Sequence, residues 1–143
     1  MLFVKALLLS VAPVALAVSH AVTIGLNNTL TFTPNQLVAA IGDTITFTVV
    51  ARNHSTTTTN FSGKVCPPPP GGVGATGWDS GFMSDLDGSL PHFTYTVVDT
   101  LPHFAACMQN AGAHCKAGMT FALNPTTDQS YDQFLANAKA SVL

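Results

Sequence analysis

Apolar and polar positions alternate most cleanly over residues 44–50, where Ile45, Phe47 and Val49 interleave with Thr44, Thr46 and Thr48. A period of two places the apolar set on one face and the threonines on the other, so this stretch predicts a half-buried β-strand entered from a Gly42-Asp43 turn. Shorter β-rich pieces precede it at 22–25 (VTIG) and 30–34 (LTFTP), around a turn at Leu26-Asn27-Asn28. Alternation returns at 92–98 (HFTYTVV), with Phe93, Tyr95 and Val97 on one side, and MTFALNP at 119–125 predicts a last strand closed by Asn-Pro. The β-branched run 56–61 (TTTTNF) suits a sheet edge, whereas CPPPPGGVGATG at 66–77 lacks an N–H at four successive positions and can only be a loop.

The pattern changes once, near the C-terminus. Tyr131, Phe134, Leu135, Ala138 and Val142 fall on one helical stripe after the cap candidates Thr127 and Asp128, which predicts a short helix covering the sheets. Short strands between turn signals, with no alternating helices, predict an all-β Greek-key antiparallel β-sandwich with that one C-terminal helix.

Composition adds a compartment. The opening MLFVKALLLSVAPVALAVSH carries Lys5, an apolar run, Pro13 and small residues at Ala15 and Ala17. It reads as a secretory signal peptide over 1–17, leaving a single domain over 18–143, with cuts before His20 or Val22 as alternatives. Loss of Lys5 would move the formal charge from -2 to -3. No basic patch for nucleic acid and no second long apolar run for a transmembrane segment are present. Only 8% of residues are charged and none is glutamate, so the surface is polar through Thr, Ser, Asn and Gln. Asn27 and Asn60 head acceptor sequons for glycosylation; Asn53 heads a third but is a poor site if its neighbour His54 is buried.

Three cysteines in an oxidising compartment leave one unpaired, with three pairings possible. Two of them, with a histidine and a methionine, lie within CMQNAGAHCKAGM at 107–119. A mononuclear electron-transfer copper site needs a thiolate and two imidazoles in a rough plane with a distant thioether on the axis. Cys107, His114 and Met119 supply three of these donors on one loop, and His54, at the end of the best strand, can supply the second imidazole. Zinc would accept the thiolate and imidazoles but gives the methionine no role.

With these residues in place the chain resembles the cupredoxins, especially phytocyanins and their secreted fungal relatives. FTPNQLVAAIGDTITF, ARNHSTTTTNF, WDSGF, the 107–119 loop and FALNP carry the resemblance over about residues 22–125. It implies a type 1 copper held by His54, Cys107, His114 and Met119, and a disulfide between Cys66 and Cys115. Two departures stand out. Cys107 and His114 are further apart than is common in phytocyanins, and Ala105-Ala106 stand where many fungal members carry aromatic residues.

The expected function is that of a secreted blue copper protein, extracellular or in the cell wall. It would bind one copper, exchange electrons with an unidentified extracellular redox partner and act as a monomer rather than as an enzyme. The alternative is an extracellular interaction module with the same fold and no redox role. His92 and His103 are expected to be structural or surface residues, His103 being the one substitute ligand. Trp78 and Phe82 are expected to pack under the Pro/Gly-rich loop with Asp79 bonding the turn, and Asp85 and Asp87 to lie in a solvated loop.

Overall fold

The computed structural model describes residues 16–143; the greater part of the expected leader lies outside them. Ten short strands form two four-stranded sheets and one two-stranded ribbon. The first sheet contains β1 (Ser19–Ile24), β2 (Phe32–Thr33), β4 (Thr44–Val49) and β8 (His92–Thr96), in the order β2-β1-β4-β8. The second contains β3 (Gln36–Leu37), β6 (Thr57–Thr59), β9 (His103–Ala106) and β10 (Thr120–Leu123), in the order β3-β10-β9-β6. The ribbon pairs β5 (Asn53–His54) with β7 (Met83–Ser84).

Pairing is mixed rather than purely antiparallel. β1 runs parallel to β4 and β3 parallel to β10, while β4–β8, β6–β9, β9–β10 and β1–β2 are antiparallel. The reason is connectivity: between β1 and β4 the chain passes through β2 and crosses to the other sheet as β3, so β4 re-enters beside β1 in the same direction.

The alternation in β4 is realised as expected, with Ile45, Phe47 and Val49 fully buried. They face the inner surface of the second sheet, where Ala105, Phe121 and Leu123 sit, so the two sheets share one core. Phe47 is central to it, edge-on to Phe121 at 5.1 Å and to Phe32 at 6.3 Å.

The second sheet has a second buried face. Phe104, Ala106 and Ala122 point away from the sandwich into a cluster with Tyr131, Phe134 and Ala138 of helix α2 (Tyr131–Lys139). The helix covers the sheet as its stripe predicts, with two differences. Ser130, not Thr127 or Asp128, is the N-cap, its Oγ accepting from the Gln133 N–H, and Val142 lies past the helix end, 91% exposed. Ser130 wins because it is the residue directly before the first helical turn, with extended backbone.

Trp78 is buried as expected, and the Asp79 carboxylate accepts from the N–H groups of Gly71 and Gly81 and the hydroxyl of Thr57, bonding the turn. Phe82 corrects the expectation. It is 54% exposed, because the chain turns at Gly81 into β7 and carries its ring away from the Pro/Gly loop.

Candidate metal centre

Three donor atoms converge where β5, the end of β9 and the 107–119 loop meet. Cys107 follows β9 directly and shares the facing of Ala105, so its side chain enters the sandwich core and is fully buried. Its backbone N–H donates to the Met119 carbonyl at 3.2 Å, and the Met119 N–H donates to the His114 carbonyl at 3.0 Å. These two bonds close the loop, returning Met119 beside Cys107 at the start of the strand pairing between β9 and β10.

The loop turns through left-handed backbone at Asn110, Ala111 and Gly112 and then winds the short helix α1 (Ala113–Lys116). Gly112 is required twice over. Its φ is 90°, and a Cβ there would stand 2.8 Å from Cβ of Pro67. α1 carries His114 and Cys115 on successive positions, and Cys115 is bonded to Cys66 with a Cα–Cα distance of 5.7 Å. The expected disulfide is therefore present, and it fastens the residue next to His114 to the 66–77 loop. Cys107 is the free cysteine among the described residues.

His54 reaches the same place from β5. Its Nδ1 lies 3.7 Å from Cys107 Sγ, and the Nδ1 of His114 lies 3.7 Å from the same sulfur. All three donor atoms fall within 4.8 Å of one another, and the imidazole centroids are 5.2 Å apart. Met119 is also fully buried, in the same core cluster as Cys107. His103 is elsewhere, its Nε2 paired with Asp99 Oδ1 at 2.8 Å, and His92 is exposed on β8.

Those distances can be set against a bound metal. A thiolate about 2.3 Å and an imidazole nitrogen about 2.0 Å from one ion, values typical of zinc, stand about 3.7 Å apart when the angle between them is about 120°. Both sulfur–nitrogen separations match that spacing, and both are long for a strong hydrogen bond. One sulfur, two imidazole nitrogens and a buried thioether suit a soft or borderline ion far better than magnesium or calcium.

Protonation follows from burial. Burial first, and then the charges of His114 and Arg52, bring the His54 imidazole down to about pKa 4, so it is neutral at physiological pH. Burial also lowers His114, with Arg52 adding to the effect. Burial pushes the Cys107 thiol up, against a pull from the Ser55 and Gln109 N–H groups, each donating to Sγ at 3.4 Å. The neutral imidazoles are already in the form that binds a metal, whereas the Cys107 thiol must give up its proton as the metal binds, and the two N–H donors favour that loss.

The supports of the sulfur were not legible from the sequence. Ser55 is fully buried, gives its N–H to Sγ, accepts from the Met108 N–H at 2.9 Å, and has its hydroxyl 3.2 Å from that of Thr57, whose own proton goes to Asp79. Adjacency to His54 was the one available signal. Arg52, Asn53, Leu86, Gln109, Asn110 and His114 line the shallow opening above the site, so the edge of His114 is the route to solvent, whereas His54 is wholly enclosed.

No family model matches the chain. A curated relative, a probable GPI-anchored cupredoxin of Arthroderma benhamiae, is 28% identical over 133 residues, covering 90% of this chain and 65% of its own length. The chain thus spans about two thirds of that relative. Among solved structures, plastocyanin from Dryopteris crassirhizoma matches with a TM-score of 0.50 at 20% identity, over 72% of this chain and 96% of the plastocyanin. Auracyanin B matches with a TM-score of 0.51 at 16% identity, over 81% and 94%. The architecture is the cupredoxin fold. The chain is thus similar to a curated cupredoxin and shares the fold of plastocyanin and auracyanin, and neither likeness singles out the phytocyanin branch.

Proposed function

We propose that this chain is a secreted mononuclear type 1 copper protein that carries electrons. His54, Cys107, His114 and Met119 would hold the ion, which supplies a one-electron couple when bound. The observation that carries the reading is the pair of imidazole nitrogens, each 3.7 Å from one buried sulfur.

The chain's own groups suit that task. β5, the end of β9 and the disulfide-fastened α1 hold the donors from three sides, which limits rearrangement between oxidation states. The N–H groups of Ser55 and Gln109 stabilise negative charge on Sγ, and the enclosing core keeps bulk water from it. Met119 distinguishes copper from zinc, since a thioether has a place on the axis of a copper–thiolate site and none in an ordinary zinc set. The partially exposed edge of His114 is the exit for the electron toward a soluble extracellular redox partner.

Copper is the one cofactor in this reading, the chain acts as a monomer, and no catalytic residue is assigned. Among the described residues no helix is long and apolar enough to cross a membrane. Placement outside the cell, in the medium or the wall, is supported by the disulfide and by the surface anchoring named for the curated relative. Asn27 and Asn60 are exposed and are the proposed glycan acceptors, whereas Asn53 Oδ1 is buried.

Voltammetry of the copper-loaded protein tests the electron-carrier role. A reversible one-electron wave at one equivalent of copper, absent from Cys107→Ser, is expected. A protein that binds copper at this site but gives no reversible wave would leave the interaction module as the better reading.

A further inference from the structure

Outside the candidate metal centre, the most fully enclosed acid among the described residues is Asp43. It is only 6% exposed, and no lysine or arginine among the described residues pairs with it. Its Oδ1 accepts the Val18 N–H at 2.8 Å, and its Oδ2 accepts the Ala40 N–H at 3.0 Å and faces His20 Nε2 at 3.0 Å. The surrounding backbone is fixed: Val97 donates to the Asp43 carbonyl, Gly42 to the Val97 carbonyl, and Thr44 to the Val18 carbonyl at 2.9 Å.

Asp43 is met by two backbone N–H donors and one imidazole, and a hydrogen bond to a carboxylate is stronger when its donor carries a full positive charge. A primary ammonium at the Val18 nitrogen would supply that charge at Oδ1 without moving a strand. That nitrogen becomes an ammonium if the chain is cut between Ala17 and Val18. Leu16 is 85% exposed and Ala17 is exposed, so the chain leaves the fold on the far side of this bond.

We propose that the Ala17–Val18 peptide bond is the processing site and that Asp43 is the receptor for the α-ammonium group it releases. The cut is a hydrolysis by the leader-removing endopeptidase of the secretory route. One water adds across the bond, Ala17 departs as a carboxylate, and the Val18 nitrogen takes the proton to become the ammonium.

The competing positions fare worse structurally. A cut after Ser19 removes both Val18 bonds and the Ser19–Thr44 pairing, and a cut after Ala21 also removes His20 from Asp43 and three residues of β1. The proposal is independent of the copper reading.

Expression of the full-length gene with its own leader in a secreting eukaryotic host, followed by N-terminal sequencing, gives the first test. A start at Val18 is expected; any other start overturns the processing site. For the receptor, protein beginning at Val18 is compared with protein that retains Ala17, which keeps the Val18 N–H but moves the charge one residue away. The Val18 start should melt higher by about 2–4 °C at neutral pH, and in an Asp43→Asn background the gap should close. Equal melting temperatures with Asp43 intact overturn the receptor, whether or not the Asn variant folds.

Discussion

At Cys107 two effects oppose one another: burial holds the proton on sulfur, and the N–H groups of Ser55 and Gln109 favour its loss. Burial dominates in the metal-free protein, so the thiol there should be nearly inert. Iodoacetamide at pH 7 is expected to modify it at least about tenfold more slowly than in unfolded chain, read by mass spectrometry; equal rates would mean the sulfur is not enclosed. Met119→Leu keeps the bulk of the side chain and removes its sulfur. In the copper-loaded protein it should shift the midpoint potential while leaving the visible thiolate absorption, and an unchanged potential would remove Met119 from the ligand set. Gly112 makes a structural demand on the same loop. Gly112→Ala sets a methyl against Pro67 at a φ of 90° and should cost roughly 1–3 kcal/mol in chemical denaturation.

Among the elements, what the sequence disclosed depends on how many faces are buried. β4 buries one face, so its Thr/apolar alternation announced it, whereas β9 buries both, Phe104 and Ala106 under the helix and Ala105 in the sandwich. Its HFAA therefore has no period to read. β5 and α1 were equally silent, because two and four residues are too few for any periodicity and α1 exists to pass from a left-handed turn to the disulfide. The 107–119 loop was legible for a different reason: Cys, His and Met are chemically scarce, and the three candidate donors Cys107, His114 and Met119 in that order have few alternative explanations. The disulfide closes a span of 49 residues and should contribute about 4 kcal/mol through the unfolded chain. α2 depends on Phe134, fully buried against Phe104 at 4.8 Å, so Phe134→Ala should lose about 3–5 kcal/mol. A loss under 1 kcal/mol would mean that the helix does not cover the sheet in solution.

For the whole molecule, acid stability follows from two groups of opposite charge type. His54 is held near pKa 4 when folded, below the ordinary value of about 6.5, so the unfolded chain binds a proton more readily between those values. Stability of the metal-free protein should fall as pH drops from about 6.5 through about 4. The hydrogen bond from His20, and then those from Val18 and Ala40, hold the Asp43 carboxyl at about 2. Its contribution is complete above the usual carboxylate pKa of about 3.9 and is lost as pH falls through about 2. Melting temperature against pH should thus decline in two stages, the lower one missing from Asp43→Asn; a flat profile from pH 7 to 4 would contradict the enclosure of His54.

The claim on which the molecule's function rests is that the sulfur of Cys107 and the two imidazoles bind copper as one site. The most direct measurement is the visible and electron paramagnetic resonance spectrum of the purified protein with one equivalent of Cu(II), beside Cys107→Ser. An intense visible thiolate-to-copper band with narrow copper hyperfine splitting, both lost in the variant, is the expected result. A colourless protein, or an ordinary tetragonal copper spectrum shared by the variant, would contradict it.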